Sequence, residues 1–319
     1  MNTVQTDQSA DDLAGERVLV TGGRGFIGRA VVDALLEVGA EVVVADHEAH
    51  PDQRVESLVG DLRDPAFVEK CVSPDLAGVI HLAAVTSVLR SKEDPGGTYE
   101  ANVAVTANLL ERARICGVDR LLMSSTNAVV GDAGAKTIDE AMALRPLTPY
   151  GATKAACEML LSGYAASYGM ACASLRFTNV YGPGMAQKDS FVPRLMRAAL
   201  RGEGVEIYGD GQQVRDLVHV HDVARGVLLA WRCRQQGPLI LGSGQSLTVN
   251  DLVEAARRAT GAPIPVRHVP QQSGEMAAVV VDVSRARLLG FEPQVGLERG
   301  LETVWDDFRS GTAAGAGTG

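Results

Sequence analysis

The sequence predicts an α/β protein, a doubly wound parallel sheet with helices on both faces, followed by a smaller C-terminal α/β lobe. Three observations carry that prediction. Strand-length apolar runs alternate with stretches of helical spacing through the first half of the chain. Those runs are apolar at every position, as in strands buried on both sides. A glycine-rich turn joins the first run to the first helical stretch.

Val18-Leu19-Val20 is the first strand, and Ile27, Val31 and Leu35 then mark a helix that Gly39 stops. Val42 to Ala45 is the second strand, and another is expected just before Gly60. Val79-Ile80 and Leu121-Leu122-Met123 flank a helix carried by Val103, Ala107 and Leu110 and closed by Gly117. The second half is less regular. Helical patterns lie around residues 189–201, 220–235, 248–260 and 297–309, separated by short apolar runs such as Pro238 to Leu241. Gly182-Pro183-Gly184 and Gly209-Asp210-Gly211 read as turns. There is no internal repeat or long linker, and mobile tails are expected over 1–15 and 310–319.

The 319 residues suffice for about two domains at ~150 residues each. Thirty Lys and Arg against thirty-nine Asp and Glu leave a charge of -9, which argues against a nucleic-acid partner. No apolar run approaches the ~18 residues of a membrane span, and the first fifteen residues hold no signal-like stretch. Cys71, Cys116, Cys157, Cys172 and Cys233 are scattered without a Cys-x-x-Cys pair, so neither a disulfide framework nor a zinc site is suggested. They read instead as small buried hydrophobes, with Met185 and Met196 as core fillers and His81 packed at a strand end. A cytoplasmic globular protein without metal is expected.

Gly22, Gly25 and Gly28 in Thr21-Gly22-Gly23-Arg24-Gly25-Phe26-Ile27-Gly28 are spaced three apart between a strand and a helix. Such glycines let a backbone approach a pyrophosphate, which the following helix N-terminus also attracts. Asp46 ends the next strand 18 residues beyond Gly28, where a carboxylate accepts from an adenosine ribose and repels a 2′-phosphate. NAD is therefore favoured over NADP, although Arg24 inside the turn could hold that phosphate. Asp61, in Gly60-Asp61-Leu62, reads either as an adenine-side residue or as a helix cap before Pro65.

Tyr150 and Lys154, four apart, share one helix face. A free phenol is a poor base at neutral pH, and a fixed cation nearby favours its ionised form. Alone this spacing is common by chance. Its order in the chain is not: glycine turn, acidic strand end, Ser124-Ser125-Thr126, then Tyr-x-x-x-Lys.

That order resembles the extended short-chain dehydrogenase/reductase superfamily, in particular the NAD-dependent nucleotide-sugar epimerases and dehydratases, over residues 17–308. His81-Leu82-Ala83-Ala84, Asn102-Val103, Arg176 to Pro183, Gly209-Asp210-Gly211 and Arg215 to Val220 belong to the same likeness. The resemblance implies a Rossmann-type NAD-binding domain over 16–178 with returns near 216–245. It implies a substrate-binding lobe over 179–215 and 246–309. Gly22, Gly25, Phe26, Ile27, Gly28, Asp46, Asp61, Leu62, Leu82, Ala83, Ala84 and Asn102 are its implied cofactor residues, with Asn102 chiefly structural. Tyr150 would take the proton of a sugar hydroxyl as hydride leaves for NAD. Lys154 would lower the Tyr150 pKa and hold the nicotinamide ribose, and Thr126 would hydrogen-bond the reacting oxygen. Thr86, Ser87, Thr126, Asn179 and Arg215 are implied on the substrate side, the last two at the diphosphate. A surface salt bridge to Asp216 or Asp222 is the structural alternative for Arg215.

Dehydratases that resemble this chain carry carboxyls just after the Ser/Thr, where Asn127 and Ala128 stand here. Neither exchanges a proton, so oxidation and re-reduction at one carbon survive: a 4-epimerase, with a UDP-sugar favoured. The alternatives are a 4-ketoreductase using NADPH, a dehydratase with other acids, and a non-catalytic nucleotide-binding protein. Val130 stands where the family often has Tyr, and Gln272 and Ala278 where Arg often meets the diphosphate; Lys188, Arg194 or Arg267 could compensate. A homodimer is expected through helices near 99–116 and 149–168, whose Ala156, Leu160 and Tyr164 either face outward or face the chain's own sheet.

Overall fold

The computed structural model describes residues 13–134, 136–270 and 279–315. Gln272 and Ala278 lie outside them. In chain order the first elements are β1 (Arg17–Thr21), α1 (Phe26–Glu37), β2 (Glu41–Asp46), β3 (Glu56–Val59), α2 (Pro65–Cys71) and β4 (Gly78–His81). The short helices α3 (Val88–Glu93) and α4 (Pro95–Tyr99) lead through a π-helical turn, Glu100–Ala104, into α5 (Val105–Cys116). Then come β5 (Arg120–Thr126), a 3-10 turn at Asn127–Val129, and α6 (Pro149–Tyr168). Next are β6 (Ala171–Phe177), β7 (Asn179–Tyr181), α7 (Phe191–Arg201), β8 (Val205–Tyr208), β9 (Val214–His219), α8 (Val220–Arg232) and β10 (Gly237–Leu241). The chain continues with β11 (Ser246–Thr248), α9 (Val249–Thr260), β12 (Val266–Val269), α10 (Ser284–Leu288) and α11 (Leu297–Gly315).

Seven strands form the main sheet in the order β10-β6-β5-β4-β1-β2-β3. β3, β2, β1, β4 and β5 pair in parallel, with Thr21 beside both Ala45 and His81. The order reverses between β1 and β4, and open sheets of this kind bind ligands beyond the carboxyl ends of their strands at such a point. The glycine turn follows β1 and Leu82 to Ala84 follow β4, so both candidate segments lie there.

The chain divides into two compact units, one of Met1–Ser124, Ala156–Ser174 and Val227–Gly237, the other of Ser125–Ala155, Leu175–Gly226 and Pro238–Gly319. Residues 129–155 join the second unit because Val129, Val130, Ile138 and Ala155 bury their side chains with Ile240, Val279, Val281 and Val283. Ile138 also donates to the Val280 carbonyl and accepts from Asp282.

In the first unit, Val31, Val32 and Leu35 form the buried stripe of α1. Gly117, at φ 73°, closes α5 in the left-handed conformation that a Cβ disfavours. Leu19, Val43, Val79, Leu121 and Met123 from the strands meet Leu109 and Leu110 of α5 and Cys157 and Leu161 of α6 in one core. Ala156, Leu160 and Tyr164 pack against that core half-buried, so of the two orientations open to them they take the inward one. Trp231 is fully buried, donates its indole N–H to Glu16 at 2.7 Å and lies under the Arg120 guanidinium.

Two further expectations are corrected. The C-terminal tail does not begin at 310: α11 runs to Gly315, with the Ser310 hydroxyl donating to the Asp306 carbonyl one turn back and Ala313-Ala314 supplying strong helix formers. At the other end Leu13 is buried, inside the segment expected to be a tail. Cys71, Cys157 and Cys172 are buried and Cys116 half-buried, but Cys233 is exposed. Met185 and Met196 are core residues.

Candidate active site

The first unit contributes the glycine turn. Gly22 has φ +70°, and a Cβ there would meet the Ala83 backbone nitrogen at 2.7 Å. A Cβ on Gly23 would strike the Val44 side chain at 2.6 Å, and one on Gly28 would collide with the Gly22 carbonyl oxygen. The turn is thus held tightly against β2 and the end of β4, with no room for side chains. Gly25 caps α1 without a side-chain hydrogen bond, and the first turn carries no acidic residue. Free N–H groups at such a helix start suit a pyrophosphate. The turn therefore fits a dinucleotide on its own geometry. Phe26 and Ile27, half-buried, open the helix.

Asp46, at the end of β2, accepts from the backbone N–H of Arg24 at 3.0 Å and of His47 at 2.7 Å. Asp61 is gripped by Arg63, whose guanidinium and backbone N–H hold its carboxyl down at about 2. The helix cap before Pro65 is Asp64, not Asp61: its carboxylate accepts from Ala66 N–H at 2.9 Å. Leu62 is buried in the apolar core, which leaves only its backbone for a ligand.

A buried polar chain fixes the segment after β4. The Ala83 N–H donates to the Thr21 hydroxyl at 3.3 Å, which lies 2.7 Å from His81 Nδ1. On the far side His81 Nε2 lies 3.2 Å from the Thr106 hydroxyl, which donates to the Asn102 carbonyl at 2.6 Å. Since Thr106 spends its proton on Asn102, the shared proton on the far side is that of Nε2, and Nδ1 accepts from Thr21. His81 is thus more than packing. Asn102, in the π-helical turn, accepts from Val85 N–H at 2.8 Å and donates to the Val85 carbonyl at 3.0 Å. It is structural, pinning Leu82, Ala83 and Ala84 from the far side. Beyond them Thr86 is exposed, and the Ser87 hydroxyl caps α3 by accepting from Arg90 N–H.

The second unit holds the Thr126–Lys154 segment. Thr126 ends β5, and its hydroxyl accepts from Ala128 N–H at 3.2 Å and is hydrogen-bonded to the Tyr150 phenol. Burial pushes that phenol up to about 12, and the Thr126 bond pulls the other way. Burial thus works against the pull on this phenol expected of Lys154. Desolvation outweighs the opposing interaction in the cofactor-free chain. Lys154 is buried one turn beyond Tyr150 on α6.

Two positioning residues escaped the sequence reading. The Thr148 hydroxyl accepts from Gly151 N–H at 3.1 Å, starting α6 immediately before Pro149. A Cβ on Gly151 would meet the Ala128 carbonyl oxygen at 2.8 Å, so glycine lets the helix close on the turn after Thr126. The signal was Thr-Pro-Tyr-Gly, a cap, a first-turn proline and a small residue flanking the phenol. Asn127 is buried, and both polar atoms of its carboxamide lack a partner.

Asn179 and Arg215 share the small sheet β11-β9-β7, where Asn179 pairs with Leu217, two residues from Arg215. The Asn179 amide donates to the Asp216 carbonyl at 2.9 Å, and an Arg215 nitrogen donates to Val214. The Asp216 carboxylate accepts from Ser243 N–H and hydroxyl, and that of Asp222 from Arg225, Gln294 and Val295. Of the proposed substitutes for the missing arginines, Arg267 pairs with Glu206. Val130 is buried in the second unit's core.

The first unit thus carries a glycine cradle at the switch point of a reversed-order parallel sheet, and the second a hydrogen-bonded Thr–Tyr pair with a Lys one helical turn on. The family model described as the NAD dependent epimerase/dehydratase family matches residues 18–240, and the chain belongs to that family. The UDP-glucose 4-epimerase of Streptomyces lividans is 35% identical over 300 residues, covering 87% of this chain and 91% of its own. The Thermus thermophilus UDP-glucose 4-epimerase in complex with NAD superposes with TM-score 0.83 at 36% identity, over 92% of this chain and 99% of its own. The Thermotoga maritima UDP-glucose 4-epimerase with UDP-glucose gives TM-score 0.87 at 33% identity, over 93% and 99%. Among the described residues no helix is long and apolar enough to cross a membrane, and no His/Cys/Asp/Glu cluster could hold a metal.

Proposed function

We propose that the chain is an NAD-dependent nucleotide-sugar 4-epimerase acting on a UDP-sugar, by transient oxidation at C4′ and re-reduction on the opposite face. The carrying observation is the hydrogen-bonded Thr126–Tyr150 pair on the chain segment whose next positions, Asn127 and Ala128, hold no carboxyl. Bound NAD supplies the hydride acceptor and donor. The glycine turn and the start of α1 would hold its pyrophosphate, with Asp46 at the adenosine ribose. Tyr150 takes the proton of the 4′-hydroxyl and later returns it, and Thr126 hydrogen-bonds the same oxygen as it becomes a ketone. With its pKa held near 12, Tyr150 is neutral at rest and ionises only as a stabilising charge comes close. Lys154, placed on the same helix face, is assigned the nicotinamide ribose. Asn179 and Arg215 are assigned the diphosphate, where a guanidinium bonds bidentately.

Without those carboxyls, dehydration has no acid–base pair at this place, while the epimerisation residues are all present. Incubation with UDP-, TDP- and GDP-sugars, followed by NMR of the products, tests the reading. Inversion at C4′ with no added cofactor is expected; stoichiometric consumption of NADPH, or loss of water from the sugar, would overturn it. Support for a homodimer comes from exposed Ile115 on α5 and Met159 and Tyr168 on α6. Light scattering behind size-exclusion chromatography checks it, and a monomeric mass would remove it.

A further inference from the structure

Arg24 stands inside the glycine turn, and a guanidinium there has the chemistry to grip the 2′-phosphate that distinguishes NADP from NAD. Its side chain is engaged elsewhere. One terminal nitrogen is hydrogen-bonded to the Glu48 carboxylate and donates to the Ala49 carbonyl at 3.2 Å. Its backbone N–H meanwhile donates to Asp46. The turn is therefore tied twice to the acidic segment that follows β2, once through the main chain and once through the guanidinium.

We infer that Glu48 is a cofactor-selectivity residue: it occupies the Arg24 guanidinium and adds a negative charge two residues beyond Asp46. A 2′-phosphate would have to displace Glu48 from the cation and would meet two carboxylates. A ribose 2′-hydroxyl needs no cation and loses nothing by the pairing. Asp46 alone disfavours the phosphate by repulsion, whereas Glu48 also withdraws the group that would attract it. The inference rests on the turn being the dinucleotide site, as proposed above.

The test is competitive loading. Purified protein is first stripped of bound nucleotide, then equilibrated with equal concentrations of NAD+ and NADP+, freed of unbound nucleotide and denatured, and the released dinucleotides are quantified by mass spectrometry. Glu48→Gln keeps the side-chain shape, and removing one exposed carboxylate from a pair is expected to raise the NADP+/NAD+ ratio roughly 10-fold. Adding Arg24→Ala to Glu48→Gln should return the ratio toward that of the unaltered chain. An unchanged ratio in Glu48→Gln, or a gain undiminished by the loss of Arg24, overturns the inference. Release of neither dinucleotide from any variant would instead overturn the assignment of the turn, a result distinct from loading with unaltered preference.

Discussion

The glycine turn and the Thr126–Lys154 segment build their halves of the chemistry in opposite ways. In the turn the backbone does the work: Gly22, Gly23 and Gly28 leave no space for a Cβ, so the main chain packs closely on β2 and the end of β4. In the other segment side chains do it, and their protonation matters more than their volume. A backbone site fails by steric intrusion. A side-chain site keeps its shape when a hydroxyl is removed and fails chemically.

The largest effect that would sharpen this contrast is expected from Tyr150→Phe. Turnover should fall about 10³-fold, the scale of a lost acid–base group, with NAD still retained. Epimerisation followed by NMR, with nucleotide content measured alongside, checks both halves; undiminished activity would falsify the assignment of Tyr150. Gly28→Ala should do the reverse. Its methyl collides with the Gly22 carbonyl, so NAD retention should weaken by at least ~10²-fold and stability should drop by about 2 kcal/mol. Equal retention by this variant and the parent would break the contrast. Thr126→Val keeps the shape and removes the hydroxyl; kcat should fall roughly 30-fold with KM little changed, since the bond is needed as the oxygen changes charge.

The smallest effect concerns alkaline stability of the cofactor-free chain. Burial raises Tyr150 from its ordinary 10.0 to about 12, so the folded chain holds this proton more tightly than the unfolded one. That contribution is fully present below pH 10 and is lost as pH rises through 12, amounting to about 3 kcal/mol. Denaturant midpoints across this range should decline less steeply in Tyr150→Phe. Parallel declines would show that the phenol is not desolvated.

The parts legible in the sequence are those where one physical demand dominates. β1, β2, β4 and β5 are buried on both faces and therefore read as unbroken apolar runs. β7, β8, β11 and β12 are three or four residues long and carry Glu206, Arg267 and His268, too short for any pattern to mark them. The glycine turn was legible from spacing because only glycine satisfies it. Tyr150 and Lys154 emerged from the order of motifs, and their spacing said nothing of the burial that sets the phenol's state. Thr148 and Gly151 stayed hidden because a cap and a missing Cβ acquire meaning only once the Ala128 carbonyl is known to lie against the helix. The tie between Arg24 and Glu48 is likewise a matter of side-chain direction, which composition does not encode.

The π-helical turn at Glu100–Ala104 takes up a surplus residue without misaiming the helix beyond it. It carries one residue more than an α-helical turn, and that surplus lets one continuous rod serve two aims: Asn102 toward Val85 on one side, Thr106, Leu109, Leu110 and Ala113 into the interior on the other. Excising a single residue there would restore ordinary winding and leave the greasy stripe aimed inward, at the expense of the amide clasp on Val85.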